Sequence, residues 1–166
     1  LDQIDYEFDK AIDIAFNGRM GPVLIELPDD IQRSSIPTKK KIYYPIVKKK
    51  TNNKDLKIKR VLKLLKESKK PLLLLGNGIR LSNTTGIIKK FIKKYQIPYA
   101  CSWGAADLFK SNDKLNAGSF GVAATRYGNF ALQKADLILC IGIRFGTQIV
   151  GGDPKKFSPK SKKILV

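Results

Sequence analysis

Histidine is absent from this chain of 166 residues, which also has only two cysteines. Without histidine no Ser-His-Asp triad can form, and the G-x-S-x-G elbow of serine hydrolases is missing as well. Cys101 and Cys140 each lie within an apolar run, where a thiol usually packs as a small core side chain. No further Cys or His is available to complete a familiar zinc site. We therefore expect neither serine-hydrolase nor zinc chemistry. The buried cysteines favour a reducing compartment, so we expect a cytoplasmic protein.

Long hydrophobic runs and strong phosphate-binding signatures are also absent. No apolar run approaches the ~18 residues that a transmembrane helix needs, and no signal peptide is visible, so we expect no membrane partner. The turn at Gly76-Asn77-Gly78 could expose backbone N–H groups to a phosphate, but it lacks both the G-x-G-x-x-G spacing and the Walker ending. A tight turn that needs small residues explains it equally well.

Acidic residues are scarce, at 14 against 32 lysines and arginines, which gives a formal net charge of +18. A nucleic-acid binder is one interpretation of so basic a chain. The other is a lysine-rich solvated surface. We favour the surface, because the lysines fall on polar faces of predicted helices and in one linker, without a nucleic-acid motif. No specific nucleic-acid partner is expected, and the scattered carboxylates form no catalytic constellation.

Hydrophobic periodicity predicts four helices. Three of them span Asp5–Asn17, Lys54–Ser68 and a segment that begins at a cap formed by Ser82 or Asn83. The core face of this third helix is expected at Ile87, Ile88, Phe91, Ile92 and Tyr95. The fourth helix is predicted from an apolar face formed by Tyr127, Phe130, Ala131 and Ala135.

Short apolar runs between these helices predict five strands. They lie at Val23–Leu27, Leu72–Leu75, Pro98–Ser102, Leu137–Ile141 and Ile164–Val166. Strands that alternate with helices predict an α/β fold with a doubly wound parallel sheet. Because ligands of such sheets bind beyond the carboxyl ends of the strands, we expect a ligand edge near Gly142, Ile143 and Arg144. The glycine-bearing loops at residues 76–78, 103–104 and 118–124 are expected beside it.

Two longer stretches resemble a known enzyme family. The run GRMGPVLIELPDDIQ at residues 18–32 resembles the motif that closes the pyrimidine-binding domain of thiamine-diphosphate enzymes of the acetolactate synthase type. The run NAGSFGVAATRYGNFALQKADLILCIGIRFGTQIVGG at residues 116–152 resembles the signature of the family's central domain. The shared features are the Thr, the Ala/Gly-x-Asn-Phe/Tyr-Ala helix, the Ala-Asp strand start and the Gly-x-Arg-Phe ending.

The resemblance implies a division of the chain into three segments. Residues 1–32 would be the C-terminal piece of the pyrimidine-binding domain, residues 33–53 a linker, and residues 54–166 a Rossmann-like central domain truncated at its C-terminus. The parent enzyme would use thiamine diphosphate and Mg²⁺ at sites outside this fragment, which lacks the activating Glu and the Gly-Asp-Gly and Asn motif. It would join a decarboxylated 2-keto acid to an acceptor and form a homo-oligomer. The fragment alone is expected to be inactive.

In acetolactate-synthase-like members the central domain also binds FAD. Carried over position by position, the resemblance places the flavin contacts at Arg19, Gly76, Asn77, Gly78, Gly121, Val122, Gly142, Ile143 and Arg144. Three sites depart from the family pattern. The three-glycine turn is Gly-Asn-Gly at residues 76–78, Met-His-Gly is Val-Ala-Ala at 122–124, and Asp-Asp-Arg is Gly-Thr-Gln at 146–148.

These departures remove polar flavin partners, so two alternatives stay open for the fragment. It is either an FAD-binding domain or a ligand-free scaffold in a lyase acting on a sugar-derived or other 2-keto acid. A remote alternative is a sirtuin-like nicotinamide nucleotide-binding domain, whose Gly-Ala-Gly-Ile-Ser turn is echoed at residues 76–80. That family needs a Pro-Asp-Phe-Arg segment and a catalytic His, and this sequence has neither.

Overall fold

The computed structural model describes residues 3–35, 44–45 and 55–166. They belong to two compact units, Leu1–Asn52 and Asn53–Val166. Most of the predicted linker, together with the predicted helix start at Lys54, lies outside the described residues. No helix in the described part of the chain is long and apolar enough to cross a membrane.

The described residues of the first unit form two helices, α1 over Ile4–Phe16 and α2 over Asp29–Gln32. Helix α1 lies where the apolar periodicity predicted a helix. The strand predicted at Val23–Leu27 is wrong, because this segment joins no sheet among the described residues and Leu24 is 89% exposed. A strand is defined by hydrogen bonds to a neighbouring strand, so a Val-, Leu- and Ile-rich composition alone does not produce one.

The second unit alternates strands and helices. In chain order its elements are α3 (Asp55–Glu67), β1 (Pro71–Leu75), α4 (Gly78–Leu81), α5 (Thr85–Tyr95), β2 (Tyr99–Cys101), a 3₁₀ helix (Trp103–Leu108), β3 (Asn116–Ser119), α6 (Arg126–Lys134), β4 (Leu137–Ile141), α7 (Thr147–Val150), a second 3₁₀ helix (Pro154–Lys156) and β5 (Lys162–Leu165). The four strands predicted in this unit are confirmed, with small shifts at their ends. Strand β3 and the short helices α4 and α7 were not predicted.

The five strands form one parallel sheet in the order β3-β2-β1-β4-β5. Leu73 at the centre of β1 lies opposite Tyr99 of β2 and Leu139 of β4. From β1 the chain moves outward to β3, then returns to place β4 on the other side of β1. The strand order therefore reverses between β1 and β4, which is the topological switch point of a doubly wound sheet. The predicted fold class is confirmed.

The three central strands, β2, β1 and β4, are buried on both faces, and successive residues along each strand face opposite layers. Leu73 and Leu75 face one layer, which α3 and α5 cover with Val61, Leu65, Ile88, Phe91 and Ile92. Leu72 and Leu74 face the other layer, where α6 contributes Leu132 and the chain contributes Ala135 just beyond it. Cys101 and Cys140 are buried in opposite layers, as expected for small core side chains.

The predicted start and core face of helix α5 need correction. Its N-cap is Thr84, whose side chain makes no capping bond, whereas Asn83 has φ +54° and the hydroxyl of Ser82 donates to the carbonyl of Gly78 at 2.7 Å. Ser82 therefore closes α4 rather than opening α5. Ile87 is 67% exposed and Tyr95 is 49% exposed. The buried stripe runs through Ile88, Phe91 and Ile92, and Ile87 lies about 100° away from Ile88 around the helix.

The predicted apolar face of α6 is also partly wrong. Tyr127 and Phe130 are both 62% exposed, and the buried positions of the helix are Gly128 and Leu132. A Cβ on Gly128 would overlap the carbonyl oxygen of Ser119 in β3. Glycine thus allows α6 to approach the sheet closely, and this approach turns the two aromatic rings toward solvent.

Candidate functional site

Two glycine loops meet at the switch point, one after β1 and one after β4. The N–H of Gly78 donates to the carbonyl of Gly142, and that of Gly76 donates to the carbonyl of Ile141, each at 2.9 Å. A Cβ on Gly78 would lie 2.6 Å from Cα of Gly142. Gly142 itself has φ +62°, and a Cβ there would lie 2.7 Å from the amide nitrogen of Ile79. These glycines are therefore required by the contact between the loops.

Side chains extend this contact to the loops that follow β2 and β3. The guanidinium of Arg80, just after β1, forms an ion pair with Asp107 in the 3₁₀ helix after β2. The indole N–H of Trp103, in the same 3₁₀ helix, donates to the carbonyl of Ala123 at 2.8 Å. The loops after β1, β2 and β3 are thereby linked in sequence.

The loop after β3 is joined in turn to the residues after β4. The N–H of Val122 donates to the carbonyl of Gln148 at 2.9 Å. The amide side chain of Asn129 accepts from the N–H of Gly121 at 3.0 Å and donates to its carbonyl at 2.8 Å. Gly121 has φ +117°, and a Cβ there would lie 2.6 Å from the carbonyl oxygen of Gln148. The carboxyl edge of the sheet is consequently a continuous set of mutually bonded loops.

The backbone N–H groups of the predicted site residues at this edge, which leave out Arg19 of the first unit, fall into two classes. Five are already bonded within the chain, those of Gly76, Gly78, Gly121, Val122 and Gly142. Three have no acceptor among the described residues, those of Asn77, Ile143 and Arg144. These three lie in the two loops at the switch point, where an anionic ligand could accept from them.

Exposed side chains also occur in the loops at this edge. Arg144 is exposed and forms no ion pair with a carboxylate of the described residues. Val122 and Trp103 are 62% and 61% exposed, and both are apolar. The side chain of Ile143, by contrast, packs against the core layer that contains Leu72 and Leu74. At this edge Arg144 therefore offers a guanidinium that no carboxylate of the described residues pairs with.

Eight of the nine residues that the resemblance assigned to a cofactor lie at this carboxyl edge, and Arg19 belongs to the first unit. The structure adds Arg80, Asp107 and Gln148 to the edge as residues that hold its loops. Because these residues follow predicted strands closely, their location at the carboxyl edge was predictable from the sequence. Their partners were not predictable, because Arg80 and Asp107 are separated by 27 positions and no sequence spacing identifies such a pair.

Comparison with known proteins identifies the family of this chain. A family model described as the central domain of thiamine pyrophosphate enzymes matches residues 58–166. The chain belongs to this thiamine pyrophosphate enzyme family. The resemblance seen in the sequence is confirmed.

Individual relatives of this thiamine-enzyme chain are acetolactate synthases. It is 32% identical to the probable acetolactate synthase large subunit of Methanocaldococcus jannaschii, over 99% of the chain and 29% of the relative. It is 32% identical to the mitochondrial acetolactate synthase of Schizosaccharomyces pombe, over 93% of the chain and 24% of the relative. A third relative, the acetolactate synthase large subunit of Buchnera aphidicola, is 32% identical over 99% of the chain and 29% of the relative. The chain thus spans less than a third of the length of these relatives.

Magnesium, which the sequence resemblance implies together with thiamine diphosphate, does not fit the described residues of this chain. The described residues contain no group of three or more His, Cys, Asp or Glu side chains that could hold a metal ion. The sequence also has no Gly-Asp-Gly motif.

The titratable groups buried in this thiamine-enzyme domain have structural roles. Burial raises the pKa of the Cys101 and Cys140 thiols to about 12, so neither provides a thiolate nucleophile near neutral pH. Burial also raises the pKa of Tyr99, whose hydroxyl donates to the carboxylate of Asp113 at 3.0 Å. Asp113 accepts a further bond from the N–H of Leu115 at 3.0 Å and so fixes the turn before β3.

Proposed function

We propose that this chain is the central part of a thiamine-diphosphate-dependent enzyme of the acetolactate synthase type, which joins a decarboxylated 2-keto acid to an acceptor. The observation that carries the proposal is the family match over residues 58–166. Acetolactate synthases that align along 93–99% of the chain support it. Thiamine diphosphate, when bound, supplies the electron sink for the carbanion. In this proposal residues 1–32 end a pyrimidine-binding domain and residues 33–53 form the linker.

Residues of this fragment contribute binding and positioning rather than proton transfer. The two thiols are buried and protonated, and the carboxylates of Asp107 and Asp113 are bonded to Arg80 and Tyr99. The groups of this domain that remain available to a ligand lie at its carboxyl edge. Its expected role in the parent enzyme is to hold neighbouring domains and, at this edge, a cofactor.

The direct test uses the full-length parent enzyme. With thiamine diphosphate and Mg²⁺ it should consume a 2-keto acid and release a carboligation product, and omission of either cofactor should abolish turnover. The 166-residue chain assayed beside it should be inactive, and the parent should sediment as a homo-oligomer. Turnover without thiamine, or flanking sequences without the activating Glu and the Gly-Asp-Gly and Asn motif, would contradict the proposal.

FAD binding at the carboxyl edge is the second part of the proposal. The N–H groups of Asn77, Ile143 and Arg144 would donate to the flavin diphosphate, and the Arg144 guanidinium would neutralise part of its charge. Val122 would contact an apolar part of the ligand. Support comes from the location of these groups at the switch point, where doubly wound sheets bind dinucleotides.

A ligand-free scaffold is the competing function, and one observation favours it. The glycines at positions 76, 78 and 142 are explained by the contact between their own loops, and their N–H groups are bonded there. No ligand is needed to account for them. In this alternative the exposed Arg144 is a solvated surface residue.

Flavin binding by matched variants separates these two functions. If FAD binds, the parent releases flavin bands on denaturation, and Arg144→Gln weakens FAD binding by about tenfold, the value of one charged hydrogen bond. Arg126→Gln is the control, because Arg126 is also exposed but begins α6. A colourless parent whose fluorescence titration with FAD shows no binding would establish the scaffold. Equal binding by both variants would remove Arg144 from the site.

A further inference from the structure

A second surface lies at the opposite, amino-terminal edge of the sheet. It is an open groove of about 830 Å³ between the ends of α3, α5 and α6 and the beginnings of β1, β2 and β4. Its floor is apolar, with Leu62 and Leu65 from α3, Phe91 and Tyr95 from α5, and Ala131 from α6. Leu62 is 39% exposed and Tyr95 is 49% exposed, so part of this floor is open to solvent.

The rim of this groove is basic. Four lysines line it, and no acidic residue does: Lys66, Lys69, Lys70 and Lys134. All four are exposed, and none pairs with a carboxylate among the described residues. The structure does not describe every side chain of the sequence. The acidic residues among those left out are Asp2 and Asp55. The described residues that line the groove therefore carry four positive side-chain charges and no negative one.

The negative ends of the helix dipoles offset only part of this positive charge. Lys66 and Lys134 lie in the last turns of α3 and α6, where a cation complements the negative helix end. Three helix ends at roughly half a charge each, together with the ionised carboxylate of Asp136 nearby, supply about two and a half negative charges against four lysines. A net positive potential remains over the apolar floor.

The positive surface also continues beyond the groove. Gln96, just after α5, lines both this groove and a second one of about 470 Å³. The second groove adds four lysines and a single carboxylate, Asp113, which Tyr99 and Leu115 already bond. An occupant that matches the basic rim and the apolar floor must be elongated, with one acidic side and one apolar side.

We propose that the amino-terminal groove is a docking site for an acidic amphipathic helix of a partner protein. The partner's Leu- or Phe-type side chains would pack on Leu62, Leu65 and Phe91, and its Asp or Glu side chains would meet the rim lysines. Helix α1 of a second copy is acidic and amphipathic too, but it would carry that copy's net charge of +18 with it, so repulsion between two basic chains disfavours this occupant. The aliphatic side chains of Leu62 and Leu65 disfavour RNA, whose bases stack on aromatic and not on aliphatic side chains.

Fluorescence anisotropy with the complete 166-residue chain tests this site. The probe is a labelled peptide of about 18 residues with Glu on one helical face and Leu on the other, and a shuffled peptide of the same composition is the reference. The amphipathic peptide should bind about tenfold more tightly than the shuffled one, and its affinity should fall between about 50 mM and about 500 mM salt.

Matched variants assign the binding to the groove. Lys66→Glu with Lys70→Glu should weaken the amphipathic peptide about tenfold, whereas Lys155→Glu with Lys160→Glu, with the same change in net charge, should have little effect. Leu62→Ser should also weaken it, and Ile87→Ser, on an exposed helix position outside the groove, should not. Circular dichroism checks that all variants remain folded.

Three results would overturn the proposal. Equal affinity for the two peptides, or for a single-stranded RNA of equal charge, would reduce the binding to attraction for any polyanion. Equal losses in the two lysine pairs would place the binding elsewhere. A dimer of the chain that Leu62→Ser dissociates would make the groove a contact between two copies.

Discussion

The two edges of the sheet are held by different kinds of contact. At the carboxyl edge, Gly78 and Gly142 bring the backbone of the loop after β1 against that of the loop after β4, and no ionisable group takes part in this contact. At the amino edge, the carboxylate of Asp136 accepts from the hydroxyl of Ser68 and from the N–H groups of Lys69 and Lys70, at 2.8 and 3.1 Å. The first contact should be sensitive to added volume and the second to acid.

The largest expected effect is that of a side chain at Gly142. Gly142→Ala places a Cβ 2.7 Å from the amide nitrogen of Ile79 at a residue with φ +62°. The left-handed conformation and the overlap together should lower the free energy of unfolding by about 3 kcal/mol. Gly146→Ala is the control, because nothing lies within 4 Å of its Cβ position. Urea unfolding measures both, and equal losses would show that the loops can separate without cost.

A smaller loss is expected from the side chain that caps α6. Thr125 Oγ1 accepts from the N–H of Gly128 at 3.3 Å and of Ser119 at 3.2 Å, and donates to the Ser119 carbonyl at 3.0 Å. Thr125→Ala should therefore destabilise the chain by about 1–2 kcal/mol. Thr84→Ala is the matched control, since Thr84 is the N-cap of α5 but makes no capping bond. If both variants lose the same amount of stability by thermal or urea unfolding, the bonds of Thr125 do not stabilise this edge.

The amino edge should lose its contact in acid. The bond from Ser68, helped by the N–H groups of Lys69 and Lys70, lowers the pKa of Asp136 below its usual value. Its contribution to stability is therefore complete above about pH 4, the pKa in the unfolded chain, and is lost as the pH falls through the lower folded value. Asp136→Asn should cost about 1 kcal/mol at pH 7, a modest value because the group is partly solvated.

Urea midpoints measured at pH 7 and at about pH 3 examine this difference between the edges. Asp136→Asn should remove part of the acid sensitivity of the unmodified chain, whereas Gly142→Ala should leave it unchanged. Asp153→Asn is a control, since Asp153 accepts one N–H bond, from Lys155 at 3.0 Å, in an exposed turn. An Asp136→Asn variant with the full acid sensitivity of the original chain would show that this carboxylate does not hold the edge.

The sequence predicted the sheet well because β1 and β4 are uninterrupted apolar runs that are buried on both faces. It missed β3, whose Asn-Ala-Gly-Ser has no apolar run and pairs with one neighbour at the edge of the sheet. At Tyr127 and Phe130, aromatic residue type suggested burial, but the close approach through Gly128 decided the orientation. In each case the deciding contact is with another element of the fold, which the periodicity within one element does not contain.

The candidate site was predictable in its location but not in its bonding. Glycines after strand ends predicted the carboxyl edge, and the structure brings those loops together. Which amides remain unbonded depends on the register between β1 and β4 and on long-range partners such as Gln148. That distinction separates Asn77, Ile143 and Arg144 from the other positions that the resemblance assigned.

The smallest effect is expected from the ion pair that links the loops after β1 and β2. The side chains of Arg80 and Asp107 are 46% and 66% exposed, so water and salt screen their attraction. A double-mutant cycle of Arg80→Gln and Asp107→Asn should give a coupling free energy of about 0.5 kcal/mol, which disappears near about 1 M salt. Lys63→Gln with Glu67→Gln, an exposed pair on α3, is the reference cycle. A salt-resistant coupling above about 2 kcal/mol would mean that side-chain charge, and not backbone contact alone, holds the carboxyl edge.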